Sequence, residues 1–142
     1  MSTGIDEIRG RVASVCSGSP FELRQAQEPF SFERQPTTAI EGVFRIESES
    51  IGVIGGFNYT EERTDVLRIY VARKQGADPE ATYERLLTDA RSLRAAVIRD
   101  GLLDGGDYGV PDTGEGVRIT RSPGAEFAVL QVSIPVTYEA TV

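Results

Sequence analysis

The feature that most restricts the fold is an alternation of apolar residues with mostly polar ones in two segments. Within 126–139, every second residue is apolar or aromatic: Ala128, Leu130, Val132, Ile134, Val136 and Tyr138. Segment 64–74 alternates similarly and sets Leu67, Ile69 and Val71 against Arg68 and Tyr70. Successive side chains of a strand point to opposite faces, so both segments predict strands with one face in the core.

The clearest helix follows the strand at 64–74. Asp78 stands at the N-cap, Pro79 takes the first helical position and Gly101 suits the C-terminal cap. An apolar stripe at helical spacing predicts the buried face: Tyr83, Leu86, Leu87, Ala90, Leu93 and Val97. The residues assigned to the opposite, solvated face are Glu84, Arg85, Asp89, Arg91 and Arg94.

The N-terminal part predicts a second helix and an extended arm. Apolar residues three and four apart indicate an amphipathic helix over about 4–16, formed around Ile5, Ile8, Val12 and Val15. The arm, 20–37, has too many prolines for a helix and too many aromatic residues for a free linker. We therefore expect the arm to pack on something, through Phe21, Phe30 and Phe32.

Three further strands are predicted with weaker patterns. Segment 39–47 indicates one strand, and 51–59 a second that glycines interrupt. Segment 117–119 is expected to form a hairpin with 126–139 through a turn at Pro123-Gly124. Proline lacks a backbone donor, so the strand containing Pro135 should lie at a sheet edge, or the Pro135 nitrogen should face away from its neighbour.

These elements predict an α+β fold, a single mixed or antiparallel sheet with two helices packed on it. The 142 residues are enough for one domain. Its expected parts are the helix at about 4–16, the arm at 20–37, and the sheet with the main helix over 39–140.

Composition restricts the function. Twenty-two acidic and 15 basic residues give a formal charge of −7, which disfavours sequence-specific DNA binding and anionic lipid. No apolar run approaches the length of a membrane-spanning helix. The single cysteine, Cys16, and the lack of a leader favour the reducing cytoplasm.

Catalytic chemistry has few candidates in this sequence. The chain has no histidine, and therefore lacks the commonest general base and metal ligand. Cys16 has no visible base beside it, and its setting indicates half-buried packing. We therefore expect a protein that is not an enzyme and needs no cofactor or metal.

One glycine-rich loop, 102–116, concentrates carboxylates. Asp104, Asp107, Asp112 and Glu115 could hold calcium or magnesium, but their spacing matches no EF-hand. Glycine and aspartate clusters are ordinary turn chemistry, so a solvated loop is the favoured interpretation. Because long loops often carry contacts, these carboxylates and Tyr108 join Phe21, Phe30 and Phe32 as candidate interaction residues.

Order and spacing of the elements resemble the tail terminator proteins of long-tailed, siphovirus-type phages. The passages that carry the resemblance are 66–73 (VLRIYVAR), 87–93 (LTDARSL) and 132–138 (VSIPVTY). The family implies a small α/β subunit that forms a hexameric ring in the virion, at the head-proximal end of the tail, after assembly in the host cytoplasm.

The partners that this resemblance implies are other copies of the chain, the tail tube protein and the head-tail connector or neck protein. DNA would pass through the ring without sequence-specific binding, and no membrane or cofactor would take part. Two alternatives remain: another neck, head-closure or minor tail adaptor protein, and a metal-dependent enzyme that uses the acidic loop. Solution mass separates the first from a ring, and metal titration separates the second.

Overall fold

The computed structural model describes residues 5–19, 21–26, 29–32, 34–36, 42–57, 60–96, 117–120 and 125–141. Two helices and five strands lie in these ranges: α1 Ile5–Ser17, β1 Arg24–Gln25, β2 Gly42–Phe57, β3 Thr60–Lys74, α2 Pro79–Ala96, β4 Val117–Thr120 and β5 Phe127–Thr141. The strands form one sheet in the order β1-β2-β3-β5-β4.

The sheet is mixed. β1 pairs with β2 in parallel, and the other three pairings are antiparallel. The predicted α+β class, a single sheet with two helices, is confirmed. The predicted hairpin of the last two strands is also confirmed, because Val117 pairs with Val132 and Thr120 with Val129.

Both helices cover the same face of the sheet. On this face every second residue of β3 and β5 is buried, as the alternation predicted, from Leu67 to Val71 and from Ala128 to Val136. α1 contributes Ile8, Val12 and Cys16 to this main core, and α2 contributes Leu86, Ala90 and Leu93. α2 therefore packs on the sheet face that holds Leu130, Val132 and Ile134. Val97 and Gly101, predicted for the end of this helix, lie outside the described residues.

The start of α2 is formed by the predicted cap. Asp78 Oδ1 accepts hydrogen bonds from the backbone nitrogens of Glu80 and Ala81, at 3.2 and 3.4 Å. The backbone carbonyl of Asp78 also accepts from Ala81 N, at 3.2 Å, so the cap residue satisfies the free donors of the first helical turn.

The opposite face of the sheet is not simply solvated, contrary to the half-buried pattern predicted for 64–74. The arm lies across one half of this face and buries a second, outer cluster: Phe30, Val43, Tyr70, Ala72, Phe127 and Val129. Alternation along β3 does not predict this burial, because it depends on a distant segment. The ring of Tyr70 is apolar enough to be buried once the arm covers it.

One prediction about the strands was wrong. Segments 39–47 and 51–59 are not separate strands, because β2 runs from Gly42 to Phe57 and pairs with β3 along its whole length. The glycines mark register shifts between Ser50 and Gly52 and between Val53 and Gly55, where β2 is irregular but does not end. A bulge adds a residue without breaking the pairing.

The three long strands of the sheet are longer than the helices that cover them. At ~3.3 Å per residue β3 spans about 50 Å, whereas the 18 residues of α2 span about 27 Å. Four residues separate the end of β3 from α2, which packs back over the strand, and the main core begins in β3 only at Leu67. Segments 51–57 of β2, 60–64 of β3 and 137–141 of β5 thus form a three-stranded extension beyond the main core.

Candidate interaction surfaces

The arm packs on its own domain through its aromatic residues. Phe21 is 3% exposed and lies in the main core, and Phe30 is 1% exposed in the outer cluster. These two side chains, predicted as interaction residues, are therefore not available to a partner. Phe32 is half-buried against the outer cluster and retains an accessible part.

Aromatic and cationic contacts hold the arm against the sheet. Tyr70 receives Phe30 and Phe32 edge-on, with ring centroids 6.3 and 6.2 Å away. The guanidinium carbon of Arg45 lies 4.6 Å from the Tyr70 centroid, and that of Arg118 lies 4.2 Å from the Phe32 centroid. Such contacts contribute about 0.5–1 kcal/mol each at partly exposed positions.

Hydrogen bonds between side chains and backbone groups fix the position of the arm. Arg45 Nε donates to the carbonyl of Phe30 at 3.0 Å. Gln35 accepts from Phe127 N at 2.9 Å and donates from Nε2 to Phe127 O at 3.4 Å, which imitates one rung of a sheet ladder. The arm is therefore an integral third layer of the domain.

The other predicted interaction residues, Asp104, Asp107, Tyr108, Asp112 and Glu115, lie outside the described residues. So does the turn at Pro123-Gly124.

A buried ion pair that the sequence reading missed joins the arm, the sheet and α2. Arg73 Nε donates to Asp89 Oδ2 at 2.5 Å, and its Nη2 donates to Asp89 Oδ1 at 3.2 Å and to the carbonyl of Phe21 at 3.3 Å. The Asp89 side chain is only 4% exposed. Its assignment to the solvated face of α2 was wrong.

Gly42 makes room for this ion pair. A Cβ atom at this position would lie 3.0 Å from Leu23 Cδ2 and 3.2 Å from Arg73 Nη1. A side chain here would therefore press on the ion pair and on the residue preceding β1. β2 begins at a glycine because the arm and Arg73 approach its backbone closely.

The outer edge of β2 is covered only at its beginning. Ala26 N donates to Phe44 O at 2.9 Å, so the peptide groups of Phe44 face away from β3. Peptide groups alternate sides along a strand, so those of Ile46 and Ser48 face outward too. Arg9 Nη2 donates to Ile46 O at 3.0 Å. Among the described residues, β2 has no partner strand on this side from Ser48 onward.

The outer edge of β5 is covered over a similar length. The peptide groups of Phe44 face away from β3, so those of its partner Val71 face β5 and bond Leu130. Because peptide groups alternate sides along β5, those at 131, 133, 135 and 137 face away from β3. β4 covers this edge only as far as Val132. Within the described ranges, the edge is open from Ser133 to the end of β5.

This geometry decides between the two predictions for Pro135. β5 as a whole is not an edge strand, because β4 lies beside its first part. The Pro135 nitrogen faces the open side and its missing donor interrupts no bond to β3, so the second alternative is confirmed.

Cys16 is fully buried in the main core rather than half-buried. Burial raises the pKa of its thiol to about 12, so the thiol stays protonated and unreactive at neutral pH. It packs as a small apolar side chain.

The elevated pKa of Cys16 predicts a loss of stability in alkali. The unfolded thiol ionises near pH 9.0 and the folded thiol only near 12, so the stabilisation is complete below 9.0 and is lost as pH rises toward 12. Between pH 8 and 10.5 the free energy of unfolding of the wild type, measured in urea, should fall by about 2 kcal/mol more than that of Cys16→Val. Parallel pH curves for the two proteins would contradict the assignment.

Among the residues that the structure describes, no three histidine, cysteine, aspartate or glutamate side chains are grouped to hold a metal ion. None of the described helices combines the length and the hydropathy needed to cross a membrane.

No protein-family model matches the chain, and no curated protein matches it.

Proposed function

We propose that this chain is a structural virion protein, a tail terminator, which forms a ring at the head-proximal end of a phage tail. The ring caps the tail tube and joins it to the head. Support comes from the sequence resemblance and from an α+β fold of the kind that the resemblance implies, a sheet with two helices on one face.

One observation carries the proposal: the sheet has two different open edges. β2 presents one edge from Ser48 and β5 presents the other from Ser133, on opposite sides of β3, as far as the described residues extend. Contacts between two different patches are head-to-tail contacts, and they produce rings when the rotation closes. The arm, in contrast, is used inside the subunit.

The ring would act through binding geometry alone. One side of it would contact the last layer of tail tube protein and so prevent the addition of further subunits. Its other side would present a surface to the head-tail connector or neck protein. The formal charge of −7 favours passage of DNA without sequence-specific binding, because neutralised phosphates are what drive nonspecific association.

An elongation assay tests the proposal. Preformed tail tubes of the same phage are incubated with the protein, supplied with fresh tube subunits, and measured for length. We expect elongation to stop once enough protein is present to supply one ring, about six copies, for each tube end, whereas tubes given subunits alone keep growing. Continued elongation with the protein would refute the terminator function, and the adaptor hypothesis would replace it.

A further inference from the structure

We propose that neighbouring copies of this chain join their sheets by main-chain pairing, with the open edge of β5 in one copy alongside the open edge of β2 in the next. The inference rests on the proposed ring, and it names the surfaces through which that ring closes.

The two open segments lie at the same level of the sheet. Ser48, where the β2 edge opens, pairs with Leu67, and Leu67 pairs with Ile134, next to the first open residue of β5. Both segments, 48–57 and 133–141, then run to the same end of the sheet. When a second copy lies beside the first, the open edge of β5 in one copy and that of β2 in the other therefore have similar lengths and begin at nearly the same level.

Strand direction distinguishes the possible pairings. β2 and β5 are both antiparallel to β3, so they are parallel to each other. A rotation that carries one sheet into the next places β5 beside β2 in parallel and leaves a new open edge for the following copy. A two-fold dimer would instead place β5 against β5 in antiparallel orientation and would end the assembly.

The open edges carry features that restrict which strand can bind. Pro135 offers its edge a carbonyl but no donor, and register shifts make the β2 edge irregular. Arg9 occupies the Ile46 carbonyl, which limits where pairing can begin. Such features suppress indiscriminate strand addition. These features favour a partner strand that pairs in one fixed register. A second copy of the chain presents the same strand in the same register at every contact.

A proline substitution tests the pairing on the β5 edge. The Thr137 N–H faces outward, so Thr137→Pro removes an edge donor and leaves the bonds between β3 and β5 intact. Native mass measurements should show wild type and the control Thr137→Ala as species larger than dimers, alone or with tail tubes. Thr137→Pro should remain a monomer at the same concentrations, with an unchanged unfolding midpoint.

Engineered cysteines keep the test independent of how well the proline variant folds. In a Cys16→Val background, Gly52→Cys combined with Thr137→Cys should give disulfide-linked species that extend beyond dimers, because both positions pair with Thr64 and so lie at the same level of the sheet. Thr137→Cys alone should give no crosslinked product. Efficient dimers from the single cysteine variant would show a two-fold contact and overturn the proposal. So would normal assembly of Thr137→Pro, or a wild type that stays monomeric even with tubes.

The two proposals fail in different ways. If the protein stops tube elongation and Thr137→Pro does so equally well, the terminator function stands and edge pairing is wrong. If the copies associate through these edges and the tubes still elongate, edge pairing stands and the terminator function is wrong.

Discussion

Replacing Asp89 by alanine is expected to lower the free energy of unfolding by about 3–5 kcal/mol, because it leaves the guanidinium of Arg73 without its buried partner. The Asp89 carboxylate is 4% exposed and binds Arg73 through both oxygens. Arg73 also holds the carbonyl of Phe21, so the loss should loosen the start of the arm as well. Urea unfolding, followed by circular dichroism, measures the change.

Arg85→Ala provides the matched control for that experiment. Arg85 contacts the same carboxylate at 3.4 Å, but its side chain is 52% exposed. Exposed ion pairs contribute about 0–1 kcal/mol, so this variant should unfold nearly as the wild type does. Equal effects of the two substitutions would show that the Arg73–Asp89 pair does not connect the layers.

Leu93→Ala is the second substitution with a large expected effect. Leu93 is fully buried in the main core between α2 and the sheet. Truncating such a side chain costs about 2–5 kcal/mol, through lost burial and the cavity that remains.

The control for Leu93 lies two residues earlier on the exposed face of the same helix. Arg91→Ala should change stability by less than about 0.5 kcal/mol. Small and equal effects at both positions, measured by thermal and urea unfolding, would mean that α2 presents a different face to the sheet.

Periodicity predicted the main core well because it is a local property. The alternation around Ile69 and Val132 and the helical stripe through Leu86 and Leu93 depend only on neighbours along the chain, and the structure buries these residues together. Both helices and the α+β class followed from these patterns.

The same periodicity could have predicted the buried ion pair between Arg73 and Asp89. Arg73 lies two residues beyond Val71, on the core face of β3. Asp89 lies three residues after Leu86 and four before Leu93, on the core face of α2. Their charges suggested solvent, but opposite charges on two facing surfaces predict a buried pair.

The role of the arm could not be predicted, because it depends on contacts between distant residues. Nothing local to Phe30 shows that it will meet Tyr70, which follows 40 residues later, or that Gln35 will bond Phe127. The open edges of β2 and β5 likewise became visible only with the strand order. Of the residues predicted for interaction, Phe32 keeps accessible surface and Phe21 and Phe30 do not.

Imaging of tail tube ends tests the central claim most directly. Tubes incubated with the protein and viewed by cryo-electron microscopy should carry a ring at one end, with the mass of several copies of this 15.4 kDa chain, six by resemblance. Ring density should be missing when Thr137→Pro replaces the wild type. Bare ends after incubation with the folded wild-type protein would contradict the proposal that this chain terminates a phage tail.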